Sequence, residues 1–164
     1  MMETNRAKKG ELKFELKVLP PPTVPPTTWA EARADYKRGP VVSGPEDAIV
    51  YFQQYIGGKP KEAFLAMFID HRNHVLDCVL MQEGTVDHTA VYPREILKKA
   101  LDLNATGLIF SHNHPAGSLE PSEGDKALTR QILTASRALG ITVHDHIIVA
   151  HEGHFSFRQA GLLV

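Results

Sequence analysis

Cysteine and long apolar runs are nearly missing from this chain, and each absence excludes a class of protein. One cysteine, Cys78, occurs among 164 residues, so no disulfide can form within the chain, as is typical of a reducing compartment. No apolar run approaches the ~20 residues that span a bilayer. Residues 1–15 are charged and have no apolar segment of the kind found in secretory signals. We therefore expect a soluble cytoplasmic protein that does not contact the membrane.

An excess of one charge is missing as well. The formal net charge is -1 and the pI is about 6.8, so the basic surplus expected of a protein held on nucleic acid by charge is absent. Nucleic acid stays possible as a partner, but charge does not indicate it. Hydrophobic residues make up 43% and charged residues 23% of the chain, which is ordinary for a globular protein of one domain.

Proline, in contrast, is concentrated near the start of the chain. Because proline removes a backbone donor and favours extended structure, residues 1–40 are predicted to be a flexible arm and residues 41–164 the folded domain. Within the arm, residues 11–19 alternate polar and apolar side chains, as an added edge strand would. The arm could therefore dock onto a partner, but we favour a flexible tail. The clustered prolines are Pro20, Pro21, Pro22, Pro25 and Pro26.

Helix and strand patterns alternate from residue 43 onward. Capping residues, helical spacing and stop signals predict helices over 43–56, with Ser43 as the cap, 93–103 and 122–139. Short apolar runs predict strands over 63–69, 74–82, 107–112, 141–150 and 153–157, the first two joined as a hairpin. This order predicts an α/β (or α+β) fold in which helices flank a mixed β-sheet.

The most informative stretch is 111–125, SHNHPAGSLEPSEGD. His112 and His114 stand two apart at the end of a predicted strand, so both imidazoles should point to the same face. Asp125 lies one turn inside the following helix, and the loop is short enough to bring it back to them. Two histidines and a carboxylate suit one Zn²⁺ per chain, or another borderline divalent ion, and leave a fourth position for water. Zinc would lower the pKa of that water to about 7.

A hydrolytic site of this kind also needs a general base that does not bind the metal. Glu62 directly precedes the strand at 63–69, from which it would face the metal; Glu83 and Glu95 are the alternatives. Glu62 would take the proton from the water and pass it to the leaving amine. Ser122 would donate a hydrogen bond to the substrate carbonyl oxygen.

Each residue has a simpler interpretation that must be weighed. Ser122 and Asp125 are spaced almost as a capping box, and Glu62 alone resembles a solvated charge. The joint spacing of the histidines, the serine and the aspartate favours the metal site. His144 and His146 repeat the two-residue spacing. They would either orient a metal ligand from behind or be polar residues at the mouth of a strand that enters the core, and we favour the second.

Other functions were weighed against the same residues. A cupin is all-β, which the helix over 122–139 contradicts, and a zinc nucleoside deaminase needs more cysteines than Cys78. A non-haem iron oxygenase uses the same ligand types and stays open. The alternative without catalysis is a scaffold or accessory protein in DNA repair or mobile-element biology that acts through partners.

The motif His112-Asn113-His114-Pro115, followed by Ser122 and Asp125, resembles the JAMM motif of the JAB/MPN+ metalloprotease superfamily. Residues 42–163 are similar to the bacterial RadC family, notably at 84–86, 92–95, 111–115, 121–122 and 140–148. The resemblance implies a sheet fold related to cytidine deaminases.

The same resemblance implies a zinc-dependent metallopeptidase or isopeptidase acting on a peptide or protein. It assigns His112, His114 and Asp125 as ligands, Glu62 as acid/base and Ser122 as the group that polarises the carbonyl. RadC-like chains often carry a helix-hairpin-helix module before this domain. A proline-rich segment stands there instead, so we expect no DNA-binding role from that module. The substrate and the oligomeric state stay open.

Overall fold

A computed structural model describes residues 39–84 and 91–164, which form three helices and five strands. The helices are α1 (Pro45–Ile56), α2 (Pro93–Asp102) and α3 (Glu123–Ala138), and the strands are β1 (Glu62–Ile69), β2 (Val75–Gly84), β3 (Gly107–Asn113), β4 (Thr142–Val149) and β5 (His154–Ser156). The predicted α/β class with a mixed sheet is confirmed, and each predicted element is present with ends shifted by at most two residues.

The sheet has the strand order β2-β1-β3-β4-β5. β1 pairs antiparallel with both β2 and β3, whereas β3 and β4 run parallel and are connected through α3. A parallel pair needs such a crossover, because the chain must return to the starting edge of the sheet. β3 therefore lies in the middle of the sheet, and the start of α3 comes after its carboxyl end.

Each face of the sheet packs against different helices. α1 covers one face, where its apolar residues join a cluster that includes Leu65, Met67, Ile109 and Ile147. α2 and α3 cover the other face, where the cluster includes Phe64, Phe110 and Ile132. β3 is buried along its whole length, as expected for a central strand covered on both faces.

One predicted cap is wrong. The N-cap of α1 is Gly44, which has no side chain to form a capping hydrogen bond, and Ser43 lies outside the helix. The Asp47 carboxylate instead accepts a hydrogen bond from the Ser43 backbone N–H at 2.8 Å. The acidic residue of the first turn thus takes over the local pairing that the sequence pattern assigned to the serine.

The beginning of the described chain runs beside β2. Gly39 N–H donates to Val75 O at 3.1 Å, and Val75 N–H donates to Pro40 O at 2.9 Å. Residues 1–38 of the predicted arm, including the alternating stretch 11–19, lie outside the described residues, so that prediction stays a prediction. Within the described ranges, no helix is long and apolar enough to cross a membrane.

Candidate metal centre

Three side chains converge where β3 ends and α3 begins. One donor atom from each of His112, His114 and Asp125 lies within 4.8 Å of the other two. The two Nε2 atoms are 2.9 Å apart, and the Asp125 carboxylate oxygens lie 3.3 Å from His112 Nε2 and 3.6 Å from His114 Nε2. Ligands that share a zinc ion at bond lengths of about 2.0–2.2 Å lie roughly 3–3.5 Å apart, so this donor set fits one ion.

The strand and the helix each supply their part of this arrangement by local rules. His112 is on β3, opposite Phe64 of β1, and strand alternation sends His114 to the same face two residues later. The His114 Nδ1–H donates to Ser118 O at 2.9 Å, because a carbonyl can only accept. When the ring is neutral, that bond leaves His114 Nε2 as the nitrogen with a lone pair available to a metal ion, directed at the centre.

Asp125 is held by the capping box that the sequence suggested as a simpler interpretation. Ser122 is the N-cap of α3: its hydroxyl oxygen accepts from Asp125 N–H at 3.1 Å, while Asp125 Oδ2 accepts from Ser122 N–H at 2.8 Å. The cap and the convergence with the histidines occur together. The capping bonds therefore orient the carboxylate that faces the two imidazoles.

The charges at the centre shift two pKa values in opposite directions. A hydrogen bond to Asp125 raises the pKa of His114 above its usual value. Burial alone would raise the pKa of Asp125, but the neighbouring imidazoles of His112 and His114 outweigh it and hold that pKa well below the usual range. The carboxylate is thus kept ionised, as a metal ligand must be.

His146 of β4 lies directly behind His112. His112 Nδ1 and His146 Nε2 are 2.8 Å apart, and both side chains are buried. Burial, followed by the neighbouring His112, lowers the pKa of His146 well below its usual value. The interpretation favoured from sequence, a polar residue at a strand mouth, is therefore wrong for His146.

A bulge explains why His144 does not share this position. The β3–β4 register shifts between Leu108 and Ile109, which face Val143 and Asp145, so that His144 is the extra residue. His144 packs near Gly107, where an added Cβ would lie 2.6 Å from its Nε2. The two-residue spacing suggested that both histidines share one face, and the bulge breaks that alternation.

Glu62 lies at the start of β1, on the side of the sheet that carries the histidines. Phe64 pairs with His112, so the same antiparallel register, extended by two residues, places Glu62 opposite His114. The charge of Glu62 contributes to the raised pKa of His114, which agrees with this placement. Glu62 is exposed to solvent.

The alternative glutamates are placed differently. Glu83 pairs with Ala63, whose side chain faces α1, and it forms an ion pair with Lys59 at 2.7 Å. Glu95 is exposed on α2 and pairs with Arg94 at 3.2 Å. The geometry favours Glu62 over both.

Ser122, the predicted donor to a substrate, has its hydroxyl group at the rim of the centre. Its Oγ–H donates to Asp125 Oδ2 at 2.7 Å, and the residue is exposed. The hydroxyl would have to exchange this partner for a carbonyl oxygen, so its role in catalysis stays a prediction.

Asn113, between the two histidines, was not recognised from the sequence. Strand alternation turns it to the opposite face, where its Oδ1 accepts from Ala63 N–H at 2.7 Å. Its amide group donates to Lys59 O and Lys61 O at 3.2 and 3.1 Å. Asn113 thereby attaches the segment before Glu62 to the end of β3. A buried asparagine with three backbone partners gives no periodic signal in a sequence.

Comparison with known proteins now identifies the family. The profile of the RadC-like JAB domain matches residues 42–162, most of the chain and all three converging side chains. The chain belongs to the RadC-like JAB domain family. The resemblance drawn from the motif is thereby confirmed.

A relative of the RadC-like chain agrees with this assignment. A UPF0758 protein of Rhodobacter capsulatus is 41% identical over 132 residues, which are 80% of this chain and 62% of the relative. The chain thus spans less than two thirds of the length of that relative.

Proposed function

We propose that this RadC-like domain is a zinc-dependent hydrolase of amide bonds, a metallopeptidase or isopeptidase of the JAMM type. The observation that carries the proposal is the convergence of His112, His114 and Asp125, whose donor atoms are spaced as the ligands of one ion. Two imidazoles and one carboxylate are the ligand types of catalytic zinc sites, where a further position stays open. We propose one Zn²⁺ per chain.

The residues around the centre have separate roles in the proposed reaction. When bound, zinc supplies an activated water molecule and a Lewis acid for the substrate carbonyl. Glu62, opposite His114, accepts the proton of the attacking water and delivers it to the leaving amine. Ser122 donates a hydrogen bond from its hydroxyl group to the carbonyl oxygen as negative charge develops there. Asp125 stays a ligand, in agreement with its lowered pKa.

Substrate class and compartment are parts of the same proposal. Because amide hydrolysis needs the scissile carbonyl beside Ser122 and Glu62, both of them exposed, a peptide or protein chain laid along this rim is the proposed substrate. The single cysteine, Cys78, supports a reducing cytoplasm as the compartment.

The test compares the purified protein with Glu62→Gln, and with Glu83→Gln as the matched control from the neighbouring strand. Metal content is measured by mass spectrometry, and hydrolysis is followed on a fluorogenic peptide library and on isopeptide-linked model substrates. We expect about one zinc per chain in all three proteins. Hydrolysis should fall by ~10²–10⁴ in Glu62→Gln alone.

Three outcomes would contradict the proposal. A folded protein without metal after zinc supplementation would remove its basis. Zinc binding with no hydrolysis in wild type would favour the scaffold that acts through partners. Iron in place of zinc would favour oxygenase chemistry instead.

A further inference from the structure

A series of hydrogen bonds connects two of the proposed ligands, Asp125 and His112, through two buried residues behind the centre. Thr129, one turn after Asp125 on α3, donates its hydroxyl proton to Asp125 O at 2.6 Å. Thr129 Oγ1 also lies 2.7 Å from His146 Nδ1, and His146 Nε2 lies 2.8 Å from His112 Nδ1. Thr129 and His146 are each 1% exposed, so no water replaces these partners.

The direction of every proton in this chain follows from its end at a carbonyl. Asp125 O can only accept, so the single hydroxyl proton of Thr129 is used there. Thr129 Oγ1 must then accept from His146 Nδ1–H, since two acceptors at 2.7 Å would repel each other. A neutral His146 has one N–H, so its Nε2 is an acceptor and His112 Nδ1 must be the donor. In the neutral ring of His112, Nε2 is then the nitrogen without a proton, and it faces His114 and Asp125.

The surroundings of His146 keep this arrangement unique. Its ring stacks on Phe157 at 4.5 Å and meets Phe64 and Phe110 edge-on at 5.6 and 6.1 Å. A second proton on the ring would place a charge among these aromatic side chains, which is costly. The packed rings also prevent His146 from turning to a different partner.

We propose that Thr129 and His146 are positioning residues that fix the tautomer of His112, so that its Nε2 is the nitrogen available to a metal ion. Partners of this kind, which do not touch the metal, orient a ligand and raise its affinity. Asp125 enters twice, since its backbone carbonyl ends the chain and its carboxylate faces His112. This inference rests on the proposed zinc site for its effect on affinity, but the tautomers themselves are a property of the metal-free protein.

The first measurement is therefore made without metal. Nitrogen-15 NMR of the chelator-treated protein distinguishes a protonated from an unprotonated nitrogen in each imidazole. We expect Nδ1–H on both His112 and His146, with both Nε2 atoms unprotonated. Protonation of His146 at Nε2 would overturn the proposal, whether or not the protein binds zinc.

The second measurement is zinc affinity by competition with a chelator. Thr129→Val removes the hydroxyl at nearly constant shape, and Thr129→Ser retains it. Thr134→Val is the matched control, because Thr134 makes the same bond to a carbonyl four residues back, Arg130 O at 2.9 Å, and is exposed on the same helix. We expect zinc affinity to fall ~10–100-fold in Thr129→Val, and to stay at the wild-type value in the other two.

The outcomes separate the two proposals. Equal affinity in wild type and Thr129→Val would overturn the role of the hydrogen-bond chain while leaving the zinc site intact. An equal loss in Thr134→Val would also overturn it, since that loss would reflect the helix and not the tautomer. No zinc binding in wild type would remove the proposed function, and the NMR result would still decide the tautomers.

Discussion

The two histidines of the centre are held in different ways. His112 is buried in the middle of the sheet, in contact with His146 and stacked near Phe64, so the core fixes it. His114 is half-buried beyond the end of the strand, where a loop carbonyl, Ser118 O, and the capped start of α3 hold its surroundings. One half of the centre thus belongs to the folding core, and the other can be changed at low cost to stability.

The sharpest test of this difference is alanine at each histidine in turn. His112→Ala should lower the free energy of unfolding of the metal-free protein by about 2–4 kcal/mol, because it leaves a cavity in the core and removes the partner of His146. His114→Ala should cost less, about 1 kcal/mol, since its half-buried side chain lies beyond the end of the strand and leaves no cavity in the core. Urea unfolding with a chelator present measures both. Both variants should lose zinc, and equal costs would contradict the comparison.

Asn113 extends the buried half toward the proposed base. Asn113→Ala leaves three backbone groups at Ala63, Lys59 and Lys61 without their partner, so we expect a loss of about 1–3 kcal/mol. Zinc content should stay unchanged while hydrolysis falls, because Glu62 loses its attachment to β3. Gln54→Ala, on the exposed side of α1, is the control. Loss of zinc together with hydrolysis would show that Asn113 supports the ligands and not the base.

The same division decides what the sequence could predict. The convergence of His112, His114 and Asp125 could be predicted because it depends on local rules: strand alternation for the two histidines and helix-start spacing for the aspartate. Glu62 was singled out because it directly precedes an apolar strand, and its role as the base stays a prediction. The pattern of apolar runs also predicted all eight elements and the mixed sheet.

The buried half depends on contacts between distant residues, which no local pattern carries. His146 was misjudged because the bulge at His144 shifts the alternation of β4, and nothing in the sequence marks that bulge. Thr129 looks like an ordinary helix residue until β4 brings His146 against it. Asn113 reads as a spacer between two ligands, although its partners lie about 50 residues earlier.

A smaller effect is expected where the exposed half meets α3. Ser122→Ala removes the side-chain cap from Asp125 N–H and one of the donors to Asp125 Oδ2, so the free energy of unfolding should fall by about 0.5–2 kcal/mol. Zinc affinity should fall only slightly, because the Ser122 backbone N–H still orients the carboxylate. Thermal unfolding beside Ser118→Ala, an exposed serine in the same loop, measures the difference. A cost as large as that of His112→Ala would mean that the start of α3 is part of the core.

The smallest expected effect is the pH dependence of the exposed half in metal-free protein. The pKa of His114 is raised by Asp125, so its contribution to stability is fully present below the usual histidine pKa of about 6.5 and is lost as the pH rises through the raised value. The lowered pKa of Asp125 keeps the carboxylate ionised throughout this range. The lowered pKa of buried His146 acts in the opposite direction, since the unfolded chain binds that proton more readily as the pH falls. The test compares wild type with His114→Gln. Both proteins retain His146, so its effect cancels in the difference between their free energies of unfolding. Urea unfolding with a chelator present should give a larger difference at about pH 5.5 than at about pH 8.5. A difference that stays constant or grows with pH would mean that His114 is not paired with Asp125 before metal binds.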